Sequence, residues 1–392
     1  MSDCAPSSFP QDLLTDILVQ LPVKSIGRFR GVSKSWRTLL SSPKFIKDHL
    51  AFHNLFDPEK LIFKEAFYCP LVLTFTTDGS SNDGISRKVV CPILDQTMWA
   101  KIEGSCHGLV LLINSGWSMI LMNPITLQCA KIPNFGLSFD PIVVAMYGLG
   151  YDESTDDYKI VSLSYYDNGD EHKTVSHSYY DFDYEHDDED SDETFVDIYS
   201  VKMQTWKRLA NSPYNHTIPH VAHGIFVNGC LHWLACDTKT QGCPSVIAAF
   251  NLALEKFEKV PPPRDVEESK FLFNQLTVLG GCLALIVVNT HESVFDVWVM
   301  KEYGMQESWS KFTINYPEDR NPYWFKVACL LRDDEIVWVR DYEKLVVYSL
   351  STGGWRDMEV VDVTGVFGDG IMTFKESLLS PNQIGELMQN PH

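Results

Sequence analysis

The spacing of hydrophobic positions changes once along this chain, near residue 60. Before it, Leu13, Leu14, Ile17, Leu18 and Leu21 fall on one side of a helical period. Pro10 sits in the first turn, where its missing N–H costs nothing, and Pro22 stops the helix. Ile26, Phe29, Arg30 and Val32 fit a second short helix, and Trp36, Leu39 and Leu40 give a third a narrow apolar stripe before Pro43 opens a fourth short turn. A head of three or four short helices hides too little apolar surface to offset chain entropy, so it is expected to bury its stripe on a partner.

From Leu61 onward the pattern alternates, with short apolar runs separated by Gly, Asp, Asn and Pro. An internal repeat organises these runs. Tyr199-Ser200-Val201 is followed by Trp206, Phe250-Asn251-Leu252 by Phe257, and Tyr348-Ser349-Leu350 by Trp355, each time seven residues from aromatic to aromatic. Met122-Asn123-Pro124 keeps that spacing to Cys129, and Trp298-Val299-Met300 reaches Trp309 with four extra residues. Each unit reads as a hairpin, and most are preceded by another strand signature, such as Gly108 to Leu111, Gly229 to Trp233, Gly281 to Leu285 or Glu335 to Trp338.

Tyr199 to Phe250 spans 51 residues, Phe250 to Trp298 spans 48 and Trp298 to Tyr348 spans 50. A period of this size with four strands per unit is that of propeller blades. Met122 to Tyr199 spans 77, and the excess coincides with the polar stretch 165–194, which reads as an insertion between strands of one blade. One period before Met122 lies the alternating run Leu71 to Phe75, a divergent first blade, and residues 363–379 offer a closing strand. The expected fold is a small all-α head followed by an all-β, propeller-like domain of about six blades.

The head resembles the F-box. The resemblance rests on Leu13, Ile17-Leu18, Leu21-Pro22, Lys24-Ser25-Ile26, Arg28-Phe29, Val32-Ser33-Lys34 and Trp36. Ile26 stands where Leu is commoner in the family, and Gly31 where Cys or Ala is usual. The resemblance implies docking on the Skp adaptor of a Skp–cullin–F-box ubiquitin ligase. The residues that would carry it are Pro10, Leu13, Leu14, Ile17, Leu18, Leu21, Pro22, Val23, Ile26, Arg28, Phe29, Val32 and Trp36. Tyr147 to Asp152, Asp156 to Val161 and Val297 to Tyr303 with Ser308-Trp309 are similar to the F-box-associated domain of plant F-box proteins, often labelled F-box/kelch-repeat. The paired signatures of true kelch repeats are not kept, so the propeller expectation rests on period and strand pattern.

Boundaries follow as an F-box over 1–50, with its core at 9–45, a linker over 51–60, a β-domain over 61–380 and a tail over 381–392. With 45% hydrophobic and 12% aromatic residues, the 392-residue chain has a globular composition. Its 32 basic and 52 acidic residues argue against nucleic acid or an anionic membrane as the main partner. Residues 1–50 carry seven Lys/Arg and four Asp/Glu, about +3, which leaves about −23 of the formal −20 total to the rest. Ten cysteines without a C-x-x-C pair or regular framework suit a reducing compartment. No secretory leader is evident and the longest apolar run, Cys282 to Val288, is too short to span a bilayer, so the expected location is cytoplasmic, nuclear or both.

Few residues suggest chemistry. Asp181 to Glu193 holds nine carboxylates in thirteen residues and reads mainly as a solvated segment. Asp181, Asp183, Glu185, Asp187 and Asp188 are its weak candidates for clamping a basic substrate. Cys106-His107 and Cys230-x-His232 with Cys236 lack a second ligand pair at zinc spacing and sit at strand starts, as buried structural residues do. His216, His220 and His223 read as polar loop residues. No phosphate loop, nucleophile elbow, zinc-protease or dinucleotide motif occurs, and no cofactor, metal or catalysis is expected. The sequence thus reads as the substrate-recognition subunit of a ubiquitin ligase, with cullin and RING subunits reached through the adaptor and an unnamed protein substrate on the β-domain. The alternatives are an F-box scaffold outside any ligase, or a propeller enzyme or glycan binder.

Overall fold

In a computed structural model of the chain, the described residues are 10–56, 60–64, 71–76, 83–93, 100–114, 118–134, 143–166, 194–216, 223–237, 239–240, 244–266, 275–289, 292–316, 325–331, 334–341, 343–360 and 371–384. The chain divides into two compact units, residues 1–133 with 322–392 and residues 134–321.

The first unit opens with four helices, α1 (Gln11–Val19), α2 (Val23–Phe29), α3 (Lys34–Leu40) and α4 (Pro43–Phe56). Pro22 ends one helix and begins the next: it precedes α2, and its carbonyl accepts from the Ser25 and Ile26 amides at 2.8 and 3.2 Å. Ser33 caps α3 by accepting from the Trp36 amide. The turn expected at Pro43 is instead a helix of 14 residues. Phe45 and Ile46, then His49 and His53 at steps of three or four residues, give it a buried stripe that the shorter helices cover.

The same unit contains β1 (Lys60–Lys64), β2 (Leu71–Thr76), β3 (Asp83–Val90), β4 (Ala100–Cys106), β5 (Leu109–Asn114), β6 (Met119–Asn123) and β7 (Gln128–Ile132). The second unit contains β8 (Val143–Asp152), β9 (Asp157–Tyr166), β10 (Phe195–Ser200), β11 (Thr205–Arg208), β12 (Ile225–Val227), β13 (Cys230–Cys236), β14 (Ser245–Asn251), β15 (Lys256–Val260), β16 (Gln275–Leu279), β17 (Cys282–Asn289), β18 (Val294–Met300) and β19 (Trp309–Asn315). The first unit resumes with β20 (Phe325–Leu331), β21 (Glu335–Arg340), β22 (Lys344–Ser349), β23 (Gly354–Val360) and β24 (Ile371–Phe374).

Among the described residues these strands make five sheets, not about six. Strands β4–β7, β8–β11, β12–β15 and β16–β19 each form a four-stranded antiparallel sheet. The fifth has eight strands in the order β20-β21-β22-β23-β3-β2-β1-β24. It joins two four-stranded groups through a short parallel pairing, Glu359 with Asp83 and Val360 with Gly84. That contact lies far apart in sequence and carries no periodic signal, so the repeat alone counts one unit too many. The strand expected within 363–379 is β24, antiparallel to β1 from Lys60 with Phe374 to Phe63 with Ile371.

The seven-residue spacing is a hairpin register. Met122 faces Cys129, Tyr199 faces Trp206, Phe250 faces Phe257 and Tyr348 faces Trp355. In the three aromatic pairs the ring centroids are 5.1 Å apart. The polar residue after each marker shapes the turn. Asn123 Oδ1 accepts from the Ile125 amide, Asn251 Oδ1 from Ala253, Ser200 Oγ from Met203 and Ser349 Oγ from Thr352. Each turn then passes through a left-handed residue, Leu127, Gln204, Glu255 or Gly353, with φ of 60°, 55°, 52° and 69°. Ahead of β13, Asn228 and Gly229 both have positive φ, as a tight two-residue hairpin requires.

Inside the second unit, Ile247, Leu283, Leu285, Val287, Trp298 and Trp309 share one buried cluster, and Val161, Leu163, Val196, Trp233 and Phe250 another. Of the insertion expected over 165–194, Tyr165 and Tyr166 belong to β9, which pairs with β10, and residues 167–193 are outside the described residues.

Candidate docking surface on the helical head

The head separates the thirteen expected docking residues by burial. Leu18, Val23 and Ile26 are buried and, with Leu40, Phe45 and Ile46, make the head's own core. Leu14, Leu21, Phe29 and Trp36 are half-buried. Pro10, Leu13, Ile17, Pro22, Arg28 and Val32 are exposed. Leu13 and Ile17 each keep 52% of their surface and Val32 keeps 64%, so large aliphatic groups face outward on a domain too small to spare them. Leu13 and Ile17 are four residues apart and therefore share a face of α1.

Several contacts hold that surface in shape. His49 donates through Nε2 to the Leu21 carbonyl at 2.9 Å, and His53 donates in the same way to the Val19 carbonyl at 3.1 Å. The carbonyls only accept, so both nitrogens must carry protons. Carbonyls at a helix end lack intrahelical partners, and these two histidines supply them from α4. Their rings stack with centroids 4.0 Å apart. Arg30 donates through Nη2 to the Leu40 carbonyl at 2.8 Å, tying α2 to the end of α3, and Phe29 meets Trp36 edge-to-face at 5.5 Å. His49 and His53 are not among the residues the F-box resemblance singles out. The available signal was their four-residue spacing in line with Phe45 and Ile46.

The other candidates among the described residues are packed into the β-structure. The Cys106 thiol is buried, and burial pushes its pKa up. Burial and then the nearby Lys375 charge lower His107 to about 4. His232 is buried, with Nδ1 against the Ile225 carbonyl at 2.9 Å and Nε2 against the Tyr303 hydroxyl at 2.7 Å. Nδ1 therefore donates and Nε2 accepts, and burial lowers the pKa to about 4. His216 is buried beside Ser212, which its Nε2 meets at 2.8 Å, and is lowered by burial to about 3. His223 is buried and bridges Tyr147, whereas His220 lies outside the described residues. His107, His216 and His232 are therefore neutral near pH 7, and the contacts described for His216 and His232 are to backbone and core side chains. Asp181, Asp183, Glu185, Asp187 and Asp188 also lie outside the described residues. Among the described residues no cluster of three or more His, Cys, Asp or Glu could hold a metal ion. No described helix is long and apolar enough to cross a membrane.

Buried charge in the second unit is paired. Lys159 Nζ lies 2.9 Å from Asp152 and 3.3 Å from Glu255, and donates to the Leu252 carbonyl at 2.8 Å. Burial pushes the Asp152 carboxyl up, but hydrogen bonds from Ser154, Thr155 and Lys159 outweigh it and hold the group at about 2. This network joins the β8–β11 sheet to the β14–β15 turn.

Comparison with known proteins adds the context of this surface. Residues 6–48 match the F-box domain, and residues 85–368 match the F-box associated beta propeller domain. The chain is similar to F-box protein CPR1 of Arabidopsis thaliana, 28% identical across 85% of this chain and 82% of that protein. It is also similar to F-box/kelch-repeat protein At3g23880 of the same plant, 25% identical across 97% of this chain and 98% of that protein. A third relative, F-box protein At3g07870, is 26% identical across 90% and 87% of the two chains. An exposed aliphatic face on a helical head, followed by four-stranded sheets that match the propeller family over most of their length, places this chain among the F-box proteins that carry an F-box-associated β-propeller domain.

Proposed function

We propose that this chain is the substrate-recognition subunit of a Skp–cullin–F-box ubiquitin ligase. The head docks on a Skp-type adaptor through Leu13, Ile17, Pro22, Val32 and the half-buried Leu21, Phe29 and Trp36, and Leu18, Val23 and Ile26 hold the shape from inside. The β-domain captures a protein substrate. Catalysis belongs to other subunits, and this chain raises the substrate's effective concentration beside the charged conjugating enzyme. F-box proteins are in general non-catalytic receptors of this kind.

The observation that carries the reading is the exposure of Leu13 and Ile17 on a self-cored head within the F-box match. Burying two half-exposed aliphatic side chains contributes about 1 kcal/mol each. Co-purification with a Skp-type adaptor tests it, comparing the wild type with Ile17→Asp and with the double variant Leu21→Ala, Pro22→Ala. Both variants are expected to lose the adaptor while the β-domain stays folded. Undiminished co-purification overturns the assignment. Reconstitution with cullin, RING and conjugating enzyme then separates a ligase subunit, which supports ubiquitin transfer, from a scaffold, which does not.

A further inference from the structure

Cys91 and Cys129 are 38 residues apart in sequence, and their sulfurs meet at 3.7 Å. Cys91 follows β3 directly and is 1% exposed; Cys129 lies on β7, the outer strand of the β4–β7 sheet, and is partly exposed. Both pack in one apolar cluster with Ile62, Val89, Ile102 and Met122, and both carry thiols rather than a disulfide. The Cys129 thiol points toward the Leu127 carbonyl, 3.7 Å away, and the Cys129 carbonyl accepts from Asn382 at 3.1 Å.

The geometry points to Cys91 and Cys129 as an oxidant-responsive disulfide site. Two sulfurs in van der Waals contact must close to about 2 Å, a shift that small side-chain rotations can supply. Access decides the order of events. A hydroperoxide reaches the partly exposed Cys129 first, because Cys91 is shielded. The contact with Cys91 and then burial push the Cys129 pKa up, so the step is slow and runs through a minor thiolate. The Cys129 sulfur, on losing its proton, attacks one peroxide oxygen; the O–O bond breaks, leaving Cys129–S–OH and one water. The Cys91 sulfur then attacks the oxidised sulfur, the S–OH bond breaks, and the hydroxide leaves with the Cys91 proton as a second water. Two thiols lose two electrons and two protons, and one hydrogen peroxide becomes two waters. The bond formed ties the end of β3, in the eight-stranded sheet, to the edge strand β7 within the first unit. In a reducing compartment such a bond is transient and reversed by thiol exchange.

Mass spectrometry of the full-length protein tests the site. The reduced protein is treated with graded hydrogen peroxide, its remaining thiols are blocked with iodoacetamide, and it is digested without reduction. Chymotrypsin is used because Cys106 and Cys129 share a tryptic peptide. The expected product is the Cys91 peptide joined to the Cys129 peptide, about 2 Da lighter than the sum of the two thiol peptides, with a higher thermal midpoint that dithiothreitol reverses. In Cys91→Ala the cross-link is lost and dimedone labels Cys129 as sulfenic acid. The site is overturned if both cysteines remain alkylated at peroxide levels that oxidise other cysteines, or if Cys129 is found joined to a different cysteine. The wild-type measurement decides this even if the variant fails to fold.

Discussion

His49, in the middle of α4, donates through Nε2 to the carbonyl of Leu21, in the turn between α1 and α2, over 2.9 Å. The bond fixes the Leu21-Pro22 corner from behind, on a side chain that is itself fully buried. Replacing His49 with Ala removes a buried donor and leaves the carbonyl without it, at a cost of about 1–3 kcal/mol. His49→Ala is therefore expected to lower the unfolding midpoint of the head and to weaken adaptor binding, although residue 49 is not on the exposed face. Calorimetric titration with a Skp-type adaptor, alongside urea unfolding, checks it. Unchanged affinity and stability would show that the contact contributes nothing.

Ile17 and Leu18 are neighbours with opposite surroundings, 52% and 2% exposed. Ile17→Asp places a charge in water and should leave the head folded, with adaptor affinity reduced by at least tenfold. Leu18→Asp buries a carboxylate without a partner and should unfold the head. Circular dichroism sums over the whole chain, most of whose described elements are strands, so amide hydrogen exchange of α1–α4 is the suitable measurement. Equal protection in the two variants contradicts the burial pattern.

Gln204 closes the β10–β11 turn at φ 55°, where glycine carries no Cβ penalty. Gln204→Gly should leave stability within about 1 kcal/mol of wild type or slightly raise it, whereas Gln204→Val should lose about 1–2 kcal/mol because branching at Cβ clashes in the left-handed region. Chemical denaturation of both variants tests the order. A more stable valine variant would contradict the turn conformation.

His232 has its pKa lowered by burial from 6.5 to about 4. A group whose folded pKa is depressed contributes stability that is fully present above its unfolded value of 6.5 and lost as the pH falls toward 4. Its share of the loss is about 2 kcal/mol by pH 5. Urea midpoints of wild type and His232→Gln between pH 7.5 and 5 should converge as the pH falls. Parallel profiles would show that His232 does not remain neutral in the fold.

What was legible in the sequence is local. The seven-residue interval between Tyr199 and Trp206, or Phe250 and Phe257, encodes a hairpin because the two partners lie across a single turn, and the Ser or Asn after the first aromatic supplies the turn's hydrogen bond. The apolar stripe of α1 and the break at Pro22 were legible for the same reason: helix period and proline chemistry act over a few residues. The long-range parts were not. The pairing of Glu359 with Asp83, which joins two strand groups into one sheet and makes five sheets from six repeat-like units, leaves no trace in spacing.

The head shows the same division. By itself the sequence determined that Leu13, Leu14, Ile17 and Leu18 lie on a helix and that so small a head needs a partner, whereas Leu21, expected on the same helix, falls past its end at Val19. Which of them face that partner was decided only by tertiary structure. Phe45, Ile46, His49 and His53 of α4 contribute to the buried core that also takes in Leu18, and Leu13 and Ile17 are left outside. The physical reason is that a helical stripe wider than one neighbour can cover must divide between inside and outside, and the division depends on where the covering helix packs.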